Sequence, residues 1–210
     1  TKIGDQSFEI AIKYFLFFKQ APQDPTHHSP QDPTYIGTQI HQWYLQHARE
    51  LPWRDTFDPY KIWLAEIILQ QTRIQQGIKY YYRFLERFPD VDSLAKGEID
   101  EVLKYWEGLG YYSRARNLHA TAKHIVENLS STFPDHHSEL IKLKWVGPYT
   151  ARAIGSFAFG NVTGVIDGNV LRVMSRVLGD HSAINEVSTR NKFQLIIDEW
   201  VAQVPPREFN

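Results

Sequence analysis

Two carboxylates stand where chemistry could use them. Glu66 lies in Ile62-Trp63-Leu64-Ala65-Glu66-Ile67-Ile68-Leu69, a run otherwise made of apolar side chains. At 3.6 residues per turn, Ile62 and Trp63 sit one turn below it and Leu69 one turn above. Ionising a carboxyl group there is costly, so its pKa is expected to rise above the ordinary ~4.3, leaving a proton to deliver as a general acid near neutral pH. A Glu on the exposed edge of a buried helix, or one paired with an arginine such as Arg54, fits the pattern equally well. Asp167 precedes Gly168-Asn169-Val170 at an expected helix start, where Asp is first of all an N-cap. Facing a cleft as an anion, it would support positive charge on a sugar, and capping does not preclude that role.

The element that must position Asp167 begins at Leu143-Lys144-Trp145-Val146-Gly147-Pro148-Tyr149-Thr150 and runs on to Val165-Ile166-Asp167-Gly168-Asn169-Val170. The pattern predicts a helix that stops at a hairpin, a second that starts at Pro148 for roughly three turns, and a third after Asp167. Two helix N-termini then lie close in sequence with their amides directed outward. Such ends bind phosphate without a basic side chain, because unpaired N–H groups and the helix dipole both favour an anion.

Residues 1–36 read differently from the rest. An apolar run from Phe8 to Phe18 is broken by Glu9 and Lys13, and Gln23-Asp24-Pro25-Thr26 recurs as Gln31-Asp32-Pro33-Thr34 around His27-His28. The closely spaced prolines predict an extension or linker, and the missing initiator Met a processed or cut N-terminus. From Thr38 onward helical period dominates, with helices expected at about 38–50, 59–74, 76–87, 98–107, 111–129, 136–144, 148–159, 168–178 and 187–203. Connections are short and no strand alternation stands out, so the class is all-α.

Between these helices lie further candidates. Gln70-Gln71-Thr72 ends the Glu66 helix with polar groups that either cap it or reach bases. Gly108-Leu109-Gly110-Tyr111-Tyr112 is a glycine-rich turn presenting two aromatics, one a wedge for a duplex and at least one expected in the core. Arg114, Arg116, His119 and Lys123 form a basic, solvated face.

Composition bounds the rest. The apolar fraction of 42% in 210 residues supports a real core, and 6 Trp, 11 Tyr and 12 Phe are many for this length; packing is the commoner use of such rings, and any beyond the needs of the core are free to stack on bases or wedge into a duplex. A net charge of −1 gives no global basic signal, so nucleic-acid binding must rest on local features. No cysteine occurs, which excludes a disulfide framework and a thiolate metal site within these residues. No run approaches the ~20 apolar residues of a membrane span. A monomeric, intracellular protein is expected, in the bacterial cytoplasm or in the nucleus or mitochondrion of a eukaryote, with no membrane association and no metal.

Five segments in order resemble the helix-hairpin-helix DNA glycosylase superfamily, and within it adenine DNA glycosylases of the MutY type. They are Leu51-Pro52-Trp53-Arg54, Trp63-Leu64-Ala65-Glu66 running into Leu69-Gln70-Gln71-Thr72, Trp106 to Arg114, Val146-Gly147-Pro148-Tyr149-Thr150, and Asp167-Gly168-Asn169-Val170. The resemblance spans about Ile40 to the C-terminus. It implies a six-helix barrel lobe over about 51–161, containing the hairpin, and a second helical lobe from about 37–50 plus 162–210, with a cleft between. It also implies removal of adenine mispaired with 8-oxoguanine or guanine in double-stranded DNA, the base being flipped into the cleft. Glu66 would then protonate an adenine ring nitrogen and Asp167 would stabilise the oxocarbenium-like sugar, as in two-carboxylate glycoside hydrolysis. Asn169 and Tyr149 would position these groups, and Leu51, Trp53 and Arg54 would line the base pocket. Gln71 and Tyr111 would intrude into the duplex, Thr72 would contact the opposite base, and hairpin amides around Gly147 would hold a phosphate.

Relatives that cleave the strand through a Schiff base carry Lys where Tyr149 stands, so the resemblance implies a monofunctional enzyme. Three departures follow. Trp145, counted among the DNA-contacting residues of the hairpin, occupies the place of the first hairpin glycine, a bulky residue where the backbone normally makes a tight turn, so a distorted or weakened turn is expected there. Four cysteines that hold a [4Fe-4S] cluster in full-length relatives are absent, so no cofactor is expected in this chain, which reads as truncated before that segment. The lobe that recognises 8-oxoguanine is missing too, and a diminished preference for 8-oxoguanine is expected. The alternatives are a T(U):G mismatch glycosylase of the same superfamily and a non-catalytic helix-hairpin-helix DNA-binding module.

Overall fold

The structure, a computed structural model, describes residues 32–210. The Phe8–Phe18 run and the first copy of the proline repeat lie outside the described residues. Every described element is a helix: α1 Pro33–His47, α2 Pro59–Leu69, α3 Ile74–Arg87, α4 Val91–Lys96, α5 Ile99–Trp106, α6 Ser113–Leu129, α7 His137–Leu140, α8 Pro148–Phe159, α9 Gly168–Leu178, α10 Val187–Val201 and α11 Pro206–Phe209. The all-α expectation holds. No described helix is long and apolar enough to cross a membrane.

One expectation is corrected at α1. The second copy of the proline repeat is a helix start and not a linker, because Asp32 Oδ1 accepts from the Thr34 amide at 2.9 Å and Pro33 takes the first helical position, where its missing N–H costs nothing. α2 begins the same way, with Asp58 accepting from the Tyr60 amide at 2.9 Å and Pro59 following. α2 stops at Leu69, short of the expected 74, because Gln70 leaves the helical region with a ψ of 114° and Gln71 follows with a left-handed φ of 56°. The expected 136–144 helix shrinks to the four residues of α7. The short helices α4 and α11 carry too few turns to show a period.

Residues 49–161 form one compact unit. Its centre is α2, whose Tyr60, Ile62, Trp63, Leu64, Ala65, Ile67 and Ile68 are all buried, so the helix is covered on nearly every side. Aromatic side chains fill much of the remaining interior. Phe84 meets Phe88, Tyr105 and Trp106 with ring centroids 5.6–6.2 Å apart, and Trp63 meets Phe133 edge-on at 5.6 Å. The Tyr60 hydroxyl donates to the Phe88 carbonyl at 2.7 Å, and burial raises its pKa above that of an ordinary phenol.

Residues 32–48 and 162–210 form the second unit. Its core gathers Leu171 and Met174 from α9 with Phe193, Ile197, Trp200 and Val201 from α10, and Ile36 of α1 packs against them. Gly37 lets α1 approach closely, since a Cβ there would lie 2.5 Å from the Trp200 carbonyl oxygen. The Asp198 carboxylate, accepting from the Gly164 amide at 2.6 Å, and Asn210, accepting from the Val165 amide at 2.9 Å, fasten the segment that leads to α9.

Candidate active site and nucleic-acid interface

Glu66 is the one half-buried side chain in the otherwise buried stretch from Ile62 to Ile68. The helix that carries it is immobilised by core packing on both sides, so its carboxyl group is held at a fixed height on a rigid element. Of the expected base-pocket residues in the same unit, Leu51 and Arg54 are half-buried. The Arg54 guanidinium lies 4.6 Å from the centroid of the Phe157 ring on α8, a cation–π contact that fixes its direction. Trp53 is 7% exposed and packs edge-on against Tyr81, so its ring serves as core.

Three of the expected duplex-contacting residues share a backbone feature. Gln71, Tyr111 and Trp145 have φ of 56°, 47° and 69°, a left-handed conformation that side chains with a Cβ rarely adopt. Tyr111 is 64% and Trp145 56% exposed, and Gln71 is exposed as well. Strain of this kind persists only where the surroundings enforce it, and it gathers at functional sites. Thr72 is half-buried, its amide donating to the Leu69 carbonyl at 3.1 Å. Both Tyr111 and Tyr112 are exposed, against the expectation that at least one would enter the core.

Side chains from elsewhere in the unit hold these turns by hydrogen bonds to their backbone. Tyr80 donates to the Glu107 carbonyl at 2.7 Å, Gln76 to Gly108 at 3.2 Å and Trp106 Nε1 to Gly110 at 2.9 Å, so the glycine-rich turn has its carbonyls taken by side chains. Before the hairpin, the buried Thr121 hydroxyl lies 2.7 Å from the Lys144 carbonyl and 2.8 Å from that of Asn117. Asn161 closes the far side, accepting from the His137 amide at 2.8 Å and donating to the Asp135 carbonyl at 2.9 Å. Leu143 and Val146 bury beneath the hairpin, so Trp145 turns outward with the Lys144 ammonium 5.4 Å from its ring. Thus the turn forms with Trp in the glycine position.

The two helix N-termini differ. α8 is capped by Gly147, which has no side chain to offer its first amides, and Tyr149 in its first turn is 39% exposed. At α9, Asp167 Oδ1 takes the Asn169 and Val170 amides at 2.8 Å each. The expected outward amides at that end are therefore already satisfied by the chain's own carboxylate, and only the α8 end keeps the phosphate-binding form. Asp167 Oδ2 accepts from the Asn169 side chain at 3.0 Å, and Asn169 Oδ1 in turn accepts from Arg172. Asp167 and Asn169 belong to the second unit, and the other candidates to the first.

The expected basic face is also corrected. Arg116 and Lys123 are exposed, but His119 is 5% exposed with Nε2 donating to the Gly97 carbonyl at 2.8 Å, and Arg114 turns inward. Burial holds the His119 pKa below its ordinary value. Sequence reasoning missed Tyr80, Thr121 and Asn161 as supports for the exposed turns, because each acts on a backbone carbonyl or amide distant in sequence. Iron–sulfur clusters are held by cysteine thiolates, and the chain has none, so its residues do not fit such a group. Among the described residues no group of three or more His, Asp or Glu gathers as a metal site.

Known proteins resemble this chain in sequence and in fold. The chain is 44% identical over 138 residues to an adenine DNA glycosylase of Buchnera aphidicola subsp. Baizongia pistaciae, covering 65% of this chain and 39% of that protein. It is 41% identical over 188 residues to an adenine DNA glycosylase of Mus musculus, covering 85% of this chain and 36% of that one. The chain thus spans well under half the length of these two relatives. A solved thermostable thymine-DNA glycosylase superposes with a TM-score of 0.77 at 26% identity, covering 85% of this chain and 82% of that one. The profile of the HhH-GPD superfamily base excision DNA repair proteins matches residues 64–199, well over half of the sequence, and the chain belongs to that superfamily.

Proposed function

We propose that the chain is the glycosylase part of a base excision repair enzyme, releasing adenine mispaired with 8-oxoguanine or guanine from double-stranded DNA and leaving an abasic site. The observation that carries this reading is Glu66, a half-buried carboxyl group on an otherwise buried helix, in a chain 44% and 41% identical to two adenine DNA glycosylases. Adenine is a poor leaving group as an anion. Protonation of a ring nitrogen by Glu66 lets the C1′–N9 electron pair depart with the base, while the sugar becomes oxocarbenium-like. Asp167 supplies the compensating negative charge. Water then adds to C1′ and its spare proton passes to a carboxylate, so the balance is adenine plus a hemiacetal sugar.

Strand cleavage is not part of the proposal. Tyr149 offers a phenol at the hairpin and no amine, and a Schiff base needs an amine. In this scheme Gln71, Tyr111 and Trp145 enter or flank the duplex, and the α8 N-terminus at Gly147 contacts a phosphate. The partner is mismatched duplex DNA, and the working form is a monomer with no metal and no cluster held by these residues.

Likeness to the thermostable thymine-DNA glycosylase favours a second reading, excision of thymine or uracil opposite guanine. Duplexes carrying A:8-oxoguanine, A:G, T:G and U:G, treated with alkali after incubation, separate the two. Release from the A-containing duplexes alone is expected. Release only from T:G or U:G replaces adenine with a pyrimidine, and a covalent complex trapped by borohydride would overturn the monofunctional assignment.

A further inference from the structure

Arg114 sits in the first turn of α6, the end of a helix where a cation is least favoured. Its guanidinium serves other segments. Nη1 donates to the carbonyls of Ile67 at 3.0 Å and Ile68 at 3.1 Å, and to that of Gln70, all at the C-terminal end of α2. Nη2 donates to the carbonyls of Leu109 at 3.2 Å and Gly110 at 3.3 Å in the glycine-rich turn. The Trp106 and Tyr111 rings flank it, with centroids 5.0 Å and 5.7 Å away. The last carbonyls of a helix have no partner within it and carry the negative end of its dipole, so a cationic fork replaces partners the helix cannot supply.

Each tied segment continues directly into a strained, exposed residue. Gln70 is followed by Gln71 and Gly110 by Tyr111, both left-handed. One guanidinium therefore fixes the backbone immediately before both side chains, within a hydrogen-bond length on either side of a single planar group.

We propose that Arg114 is a positioning residue that locks the Gln71 turn to the Tyr111 turn, so that the two side chains meet a duplex as one preset wedge. The use of the wedge rests on the base-excision reading above, whereas the lock itself does not. An ammonium cannot replace the fork, because its compact charge does not span two separate sets of carbonyls.

The test uses Arg114→Gln and Arg114→Lys in the whole chain. In hydrogen exchange, residues 69–72 and 108–112 are expected to lose protection together in both variants while the rest stays as in the wild type. Loss in only one of the two segments, or a uniform loss throughout, overturns the lock. In single-turnover base release, a fall of about 10- to 100-fold is expected for adenine in a paired duplex, with a loss of only about threefold for adenine in single-stranded DNA, where no base pair opposes extrusion. Equal losses on paired and single-stranded adenine would assign Arg114 a merely structural role. Gln71→Ala and Tyr111→Ala are each expected to slow the wild type but to add less than about twofold to Arg114→Gln, and full additivity contradicts a shared wedge. If the wild type releases no base from any duplex, the base-excision reading fails, and the exchange measurement still decides the lock.

Discussion

Asp167 and Asn169 are joined twice: the Asp167 carboxylate accepts from the Asn169 amide at 2.8 Å through one oxygen and from the Asn169 side chain at 3.0 Å through the other. The first bond is an N-cap that any short polar side chain supplies. The proposed support of a cationic sugar requires an anion. Asn is as good an N-cap as Asp, so Asp167→Asn is expected to change stability by less than about 0.5 kcal/mol, and Asp167→Ala to cost about 1 kcal/mol. Both are expected to slow base release by about 100-fold or more. Urea unfolding beside single-turnover release makes the comparison. Retained activity in the stable Asn variant would reduce Asp167 to a cap.

Glu66 gives the complementary case. Glu66→Gln keeps the size of the side chain at a half-buried position and removes the transferable proton. Base release is expected to fall by about 10²- to 10⁴-fold, with duplex affinity within a few-fold of the wild type. A variant that binds and still releases adenine at the original rate removes Glu66 from the chemistry.

A pH effect on stability follows from His119. Its Nε2–H donates to Gly97 in a buried setting, and burial lowers its pKa below the ordinary ~6.5. The unfolded chain therefore binds the proton more readily than the folded one. The stabilisation from keeping His119 neutral is full above about pH 6.5 and is lost as pH falls through the folded pKa, at a slope of at most about 1.4 kcal/mol per pH unit. Denaturant midpoints at pH 7.5 and pH 5 are expected to differ more for the wild type than for His119→Gln. Identical differences for the two proteins would remove His119 as the cause.

What the sequence made legible was local. Asp58-Pro59 and Asp167-Gly168 announce helices because cap and first turn lie side by side, and Glu66 is conspicuous because its neighbours are apolar. The same Asp-Pro signal at Asp32-Pro33 was obscured by the prolines before it, although Asp32 caps α1 as Asp58 caps α2. Arg114 was illegible for a different reason. Its partners are backbone carbonyls, which every residue possesses, and those on α2 lie 44–47 residues away. The left-handed backbone at Gln71, Tyr111 and Trp145 was hidden as well, since only glycine advertises that conformation.

Trp145 sets two terms against each other. Left-handed backbone at a residue with a Cβ costs about 1–2 kcal/mol, which Gly would recover. The indole is 56% exposed, so the covered remainder of its 150–250 Å² contributes about 2–3 kcal/mol, and the ring borders a small cleft that Trp63 and Leu118 also line. Trp145→Gly is therefore expected to lower stability by only about 1 kcal/mol. If the exposed part of the ring stacks on DNA, the same variant loses about 1–3 kcal/mol of duplex affinity, a 5- to 150-fold weakening. Fluorescence anisotropy with a labelled mismatch duplex, at a salt concentration held fixed, reads that loss. Unchanged affinity in a folded Trp145→Gly protein would mean that the ring only seals the cleft and that hairpin contact with a phosphate needs nothing beyond the backbone around Gly147.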